Sequence, residues 1–284
     1  MPELPEVETI RRGLLPAVTD RRIAAVAARA VTLHGRPIGS MSGLSGCRIR
    51  TIARRGKYLL WHMADDGPVL LMHLGMSGQV VVEGGPDSSA PGAALTADRH
   101  THLALLLDDG TLLRFRDPRR FGRLALLADA QALARHPALA ALGPEPLGAD
   151  FTPSYLHERL RASRARIKAR LMDQSVVAGL GNIYVLEALH LAGIRPARRA
   201  DRIGRRACAR LVAAIRRTLE EAIAAGGSTL KDYRLADGSL GYFQHRFRVY
   251  GRAGEPCLAP GCSGTVRKRV EAGRTSYYCP RCQR

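Results

Sequence analysis

The chain has 284 residues, enough for two or three compact units with real cores. Its formal net charge is +19 and its isoelectric point is near 10.7, so the expected partner is a polyanion, nucleic acid before an anionic membrane. No apolar run approaches a membrane span, and residues 1–20 lack a basic start followed by an apolar core; neither membrane insertion nor secretion is expected.

Residues 2–17 read as a helix with Val7, Ile10 and Leu14 on one stripe. Residues 23–127 read as β-rich. Short extended runs lie at 58–62, 69–73 and 79–82, and runs 102–107 and 111–116 flank an Asp109-Gly110 hairpin turn. A sandwich or barrel fits this stretch better than alternating β-α-β units. Residues 84–97, rich in Gly, Pro, Ser and Ala, read as a mobile surface loop, and the Ala-rich 128–142 as helical. The Gly/Pro-containing segment 142–150 reads as a linker. Helices are then expected over 155–164, 167–172, 182–193 with Asn182 as its N-cap, and 205–225, ending at Gly226-Gly227. The last forty residues form a separate cysteine-bearing module.

All but four of the 44 basic residues are arginine; the lysines are Lys57, Lys168, Lys231 and Lys268. Lysine exchanges its proton and arginine does not, so a lysine after Arg54-Arg55-Gly56 marks either a required ammonium group or a solvated basic hairpin. Pro2 offers two readings as well. Proline and carboxylates suit the first turn of a helix. Alternatively, removal of Met1 frees a secondary amine that condenses with an aldehyde-level carbon to a permanently cationic iminium, with Glu3 as the acid or base beside it.

Cys257-x4-Cys262 and Cys279-x2-Cys282 are two thiolate pairs that close a tetrahedral structural zinc site around a hairpin of 265–270 and 274–278. Cys47 and Cys208 stand alone as core thiols, and the cysteine usage suits a reducing cytosol. Gly179-Leu180-Gly181-Asn182 joins two helices, either as a helix–turn–helix arm on a phosphate backbone or as an ordinary α-hairpin. Turn-rich segments 73–78 and 117–122 present Met76, Arg119 and Phe121, side chains that suit core packing or insertion into a DNA stack after base flipping. Residues 226–243 are a base-capping lid or a long connection.

Together these segments closely resemble the bacterial formamidopyrimidine-DNA glycosylase family over nearly the whole chain. The resemblance rests on Pro-Glu-Leu-Pro-Glu-Val-Glu-Thr at 2–9, Gly-Lys-Tyr-Leu-Leu at 56–60, His-Leu-Gly-Met-Ser-Gly at 73–78, Asp-Pro-Arg-Arg-Phe-Gly at 117–122, Gly-Leu-Gly-Asn-Ile-Tyr at 179–184 and Val-Tyr-Gly-Arg at 249–252. It implies a multidomain α+β fold: an N-terminal β-sandwich flanked by helices over 1–141, a linker at 142–150, a helix–two-turn–helix domain over 151–245 and a β-hairpin zinc ribbon over 246–284. It also implies removal of oxidised purines from double-stranded DNA held between the two main parts, followed by strand cleavage. Pro2 is then the nucleophile, Glu3 assists sugar-ring opening, Lys57 is an acid in β-elimination and Arg274 serves δ-elimination. Met76, Arg119 and Phe121 fill the gap left by the base and contact the orphaned base, and His73, His100, Arg164, Lys168, Asn182 and Arg274 fall at or near DNA-contact positions.

The expected cofactor is one structural zinc on Cys257, Cys262, Cys279 and Cys282, with none for catalysis. A monomer in the cytoplasm, associated with the nucleoid, is expected. The sister branch, endonuclease VIII, typically has glycine where this chain has Leu4; a catalytically dead DNA-binding protein would be expected to lack Pro2, Glu3 or Lys57. Two departures from the family pattern stand out: four residues rather than two between the first cysteines, and a long, charge-poor 84–97 segment.

Overall fold

A computed structural model describes residues 2–84, 91–228, 241–271 and 273–284. The chain forms two compact units. The first runs to Ala140 and includes Gly226–Ser228 and Gly241; the second comprises Ala141–Ala225 and the chain from Tyr242 onward.

The first unit opens with helix α1 (Leu4–Val18). Ten strands follow among the described residues: β1 (Ile23–Ala28), β2 (Thr32–Leu33), β3 (Arg36–Pro37), β4 (Ile49–Arg55), β5 (Tyr58–Met63), β6 (Val69–His73), β7 (Gln79–Glu83), β8 (Thr101–Leu107), β9 (Leu112–Arg116) and β10 (Arg123–Leu127), with helix α2 (Pro91–Ala97) between β7 and β8. Two antiparallel sheets, ordered β1-β8-β9-β7 and β10-β6-β5-β4, enclose one core. Alternation along the strands decides what goes there. Leu103, Leu105 and Leu107 of β8 meet Leu59 and Trp61 of β5, and Val7, Ile10 and Leu14 of α1 cover the same cluster. This is the expected sandwich.

The expected loop at 84–97 is helical at its far end. Ala94 and Leu95 of α2 pack on Ala104 and Leu112, the outward faces of β8 and β9, so burial rather than propensity makes this short helix. Residues 85–90 lie outside the described part. The Ala-rich stretch forms two short helices, α3 (Ala130–Ala134) and α4 (Pro137–Ala140), because Pro137 breaks the run.

The second unit contains α5 (Pro153–Arg161), α6 (Ile167–Met172), α7 (Asn182–Leu191), α8 (Arg205–Ala224) and the hairpin β11 (Arg267–Glu271) with β12 (Arg274–Tyr278). Helix α7 is buried on every side, and Leu186 packs with Val249 and Val266 beneath the hairpin. Segment 142–150, expected as a linker, is bonded into this unit. Arg216 of α8 donates to the carbonyls of Pro146, Gly148 and Phe151, and Gly143 N–H donates to Gln174 O at 2.8 Å. The expected boundary also placed all of 226–245 with the helices, whereas Gly226–Ser228 belongs to the first unit because Ser228 N–H donates to Glu6 Oε1 at 2.8 Å. The rest of the expected lid, 229–240, is outside the described residues.

Candidate functional site

Pro2 and Glu3 immediately precede α1, and both are buried, Glu3 to 3% exposure. Glu3 is the N-cap of α1, and its backbone N–H donates to Glu6 Oε2 at 2.8 Å. Because the other Glu6 oxygen accepts from Ser228, one carboxylate fixes the start of the chain against a segment 222 residues away.

Lys57 occupies the two-residue turn between β4 and β5, where Gly56 has φ +56° and Arg55 pairs with Tyr58. Such a turn usually exposes its lysine; this one is 8% exposed. A second carboxylate ties the turn to α1. Glu8 accepts from Arg11, Arg12 and Arg54, and Arg54 also donates to Gly56 O at 3.1 Å. Burial raises the Glu8 pKa, but the three guanidinium groups outweigh it and hold the carboxyl at about 2.

His73, at the end of β6, packs edge-on against Tyr58 with ring centroids 4.8 Å apart. Burial first, then the charges of Lys57, Arg123 and His34, push its pKa down to about 3, so it is neutral. Its Nδ1 accepts from Gly75 N–H at 3.0 Å, which leaves the proton on Nε2.

The two turn-rich segments beyond β6 and β9 meet backbone to backbone. Gly75 has φ +63°, and a Cβ there would lie 2.3 Å from the Phe121 carbonyl carbon, so only glycine fits. Asp117, fully buried, binds them together: it accepts from Ser77 Oγ at 2.6 Å and Gly122 N–H at 2.7 Å, while Ser77 Oγ accepts from Arg119 N–H at 3.1 Å. This joins the segments that carry Met76, Arg119 and Phe121. The Arg119 guanidinium carbon lies 5.0 Å from the Phe121 ring centre, and Phe121 is 41% exposed. His34, which nothing local in the sequence marks, packs edge-on to Phe121 at 6.4 Å. His100 is half-buried on the neighbouring loop, its N–H held by Asp98 Oδ1 at 2.9 Å.

In the second unit Lys168 and Asn182 meet on β12. Lys168 Nζ donates to Thr275 O at 3.1 Å and Ser276 Oγ at 2.9 Å, and Asn182 Nδ2 donates to Thr275 O at 3.1 Å. Arg274 is the preceding residue. Gly181, not Asn182, is the N-cap of α7; Asn182 is the first helical residue, and its amide is committed to the hairpin. Burial, opposed by Glu271 and aided by Arg274, lowers the Lys168 pKa to about 8. A cavity of about 760 Å³ is lined by Lys168, Arg166, Arg269, Arg274 and Glu271; Glu271 pairs with Arg166 and Arg269. Arg164 is exposed on the loop before α6, and its charge is felt at Asp201 rather than in this cluster. The turn into α7 is held by Gln174, whose amide oxygen accepts from Gly179 N–H at 2.8 Å and whose nitrogen donates to Leu180 O at 2.9 Å.

The four cysteine sulphurs of the ribbon all lie within 4.8 Å of one another, and Cys257–Cys282 and Cys262–Cys279 are each 3.7 Å apart. Four thiolates about 2.3 Å from a tetrahedral zinc are spaced by about 3.8 Å, so this donor set fits the ion. The wide Cys257–Cys262 knuckle closes through Cys262 N–H to Ala259 O at 3.0 Å. Gly264 runs so close beneath that a Cβ would sit 2.7 Å from Cys279 Sγ.

The family model for the formamidopyrimidine-DNA glycosylase N-terminal domain matches residues 1–124, that for the H2TH domain of the same enzymes matches 142–234, and that for the zinc finger found in FPG and IleRS matches 254–284. The last, with the sulphur geometry, identifies one structural Zn2+ on four cysteines. Formamidopyrimidine-DNA glycosylases of Dinoroseobacter shibae and Paracoccus denitrificans are each 50% identical over the full length of both chains. The crystal structure of the MutM (Fpg) protein of Thermus thermophilus is 42% identical and covers 99% of this chain and 98% of its own, with a TM-score of 0.85. Fpg of Lactococcus lactis in complex with DNA containing an abasic site is 35% identical, covers 99% of each chain and has a TM-score of 0.84. The chain belongs to the formamidopyrimidine-DNA glycosylase family.

Proposed function

We propose that this chain excises 8-oxoguanine and formamidopyrimidines from duplex DNA in base-excision repair, with Pro2 as nucleophile, and then cleaves the strand by β,δ-elimination. The observation that carries this reading is the burial of Glu3 and Lys57, at 3% and 8% exposure, in the unit that starts with a buried Pro2. Burying a carboxylate and an ammonium is costly, and a chain with abundant surface for charges does so where their chemistry is used.

Once Met1 is removed, the Pro2 amine attacks C1′ of the damaged nucleotide and the bond to the base breaks. Glu3 takes the proton that the Pro2 nitrogen loses after attack and passes it to the sugar-ring oxygen as the ring opens, leaving an iminium on Pro2. This cation acidifies the C2′ hydrogens; loss of one expels the 3′ phosphate, with Lys57 as acid, and δ-elimination aided by Arg274 expels the 5′ phosphate. Met76, Arg119 and Phe121 fill the emptied stack and meet the orphaned base. His73, His100, Arg164, Lys168 and Asn182 contact the DNA strand. Lys168 spends two donors on β12 and keeps a third for phosphate. The enzyme acts as a monomer at the nucleoid, and its zinc is structural.

Borohydride trapping on a duplex with one 8-oxoguanine opposite cytosine, followed by mass spectrometry, tests this. A stable adduct on Pro2 is expected. An adduct on Lys57 reassigns the nucleophile, and absence of any adduct from zinc-loaded, DNA-binding protein defeats the catalytic reading. Preference for thymine glycol over 8-oxoguanine would move the chain to the pyrimidine branch.

A further inference from the structure

A fifth side chain stands against the zinc site. His190, near the end of α7, is 5% exposed, and its Nε2 lies 3.3 Å from Cys257 Sγ and 3.8 Å from Cys282 Sγ. These two sulphurs are one of the pairs 3.7 Å apart. Zinc-bound thiolates carry no proton and only accept, so a nitrogen at this distance has to bring the proton itself. The other ring nitrogen, Nδ1, is buried and has no hydrogen-bond partner among the described residues. A second proton there would create an unpaired buried donor, so the packing favours the neutral ring protonated at Nε2. Cys257 receives a further donor, Ala259 N–H, at 3.4 Å.

We propose that His190 is a positioning residue of the zinc site, donating Nε2–H to Cys257 and Cys282. The hydrogen bond draws negative charge from these two sulphurs and makes each less nucleophilic than it would be without it. Electrophiles then enter through Cys262, which is half-exposed, while Cys279 is fully buried and takes backbone N–H bonds from Arg281 and Cys282. The metal is retained longer than it would be without the His190 donor. The donor comes from α7, a helix 67 residues before Cys257, so the helical domain helps set the chemical durability of the ribbon.

The test uses full-length, zinc-loaded protein and two variants. His190→Phe keeps a ring and loses the donor; His190→Gln places an amide nitrogen at about the reach of Nε2. Zinc release under excess N-ethylmaleimide is followed with a chelating dye, and mass spectrometry locates the first cysteine modified. The Co2+-substituted proteins report the sulphur-to-metal charge-transfer band. His190→Phe is expected to release zinc about tenfold faster, to be modified first at Cys257 or Cys282, and to show a displaced band. His190→Gln is expected to restore rate, order and band. Wild-type behaviour of both variants, or a His190→Gln protein indistinguishable from His190→Phe, overturns the proposal, as does a wild-type cobalt spectrum showing nitrogen ligation. If His190→Phe does not load metal, His190→Gln alone decides: the wild-type order and band support the proposal, and faster release with altered order overturns it.

Discussion

Replacing Glu8 with Gln tests whether the arginine cluster around this carboxylate fixes the Lys57 turn to α1. The side chain is only 10% exposed and accepts from Arg11, Arg12 and Arg54. Its carboxyl falls from 4.5 to about 2. At 1.36 kcal/mol per pH unit this corresponds to roughly 3 kcal/mol, and solvent screening of a site at the helix surface reduces it to about 2 kcal/mol. Because the folded value lies below the unfolded one, the contribution is fully present above pH 4.5 and is lost as the pH falls toward 2. Trp61, the sole tryptophan, is 1% exposed in the core of the same unit, so its fluorescence follows that unit's unfolding. Urea titrations should show Glu8→Gln less stable by about 2 kcal/mol at pH 7, with the gap narrowed by about 1 kcal/mol at pH 3.5. A gap that stays constant with pH, or one below about 0.5 kcal/mol at pH 7, refutes a buried charge cluster and leaves only surface pairs of little weight.

Asp117→Ala removes the acceptor shared by Ser77 and Gly122 and is expected to cost about 2–4 kcal/mol in the same fluorescence assay, while weakening binding to a duplex with an abasic site more than to intact DNA. Gly75→Ala forces a Cβ into the Phe121 backbone at φ +63°; a loss of about 2 kcal/mol or more is expected, read as a shift in urea midpoint. Chelation of the zinc should unfold residues 254–284, seen as proteolysis of that segment, and leave Trp61 fluorescence unchanged. Lys168, with a pKa near 8, is charged below that pH and neutral above it. The salt dependence of DNA binding should therefore lose about one phosphate contact between pH 7 and 9, and Lys168→Met should abolish that pH effect.

What could be read from the sequence follows range. The hairpin of β8 and β9 was legible because alternation and an Asp-Gly turn are local signals, and the cysteine pairs because thiolate spacing has few other uses. Helix α2 was not, since its stability comes from Ala94 meeting Ala104 and Leu112 across the sheet. Segment 142–150 carries the composition of a linker, but Arg216, some 70 residues away, binds its carbonyls. Glu6, Glu8, Asp117 and Gln174 went unmarked as individual residues for the same reason. The partners of the first three lie as far as 222, 46 and 40 residues away, and Gln174 acts through backbone groups that no side-chain pattern reveals. Lys57 was noticed as a lysine in an arginine-rich chain, but its burial in a tight turn is a tertiary fact.

The placement of the few lysines bears on how this protein meets the chemistry of its cell. Lys57 and Lys168 are buried, whereas Lys268 is exposed on the ribbon hairpin. Among the described residues almost all of the outward positive charge is therefore guanidinium, which keeps its proton through any physiological pH. Acetyl transfer from activated thioesters, and condensation with sugars or reactive aldehydes at lysine, find few amines on such a surface. The attraction for phosphate thus persists through swings in metabolism that would erode a lysine-rich surface, and unwanted imine formation with stray aldehydes is largely denied a foothold outside the interior.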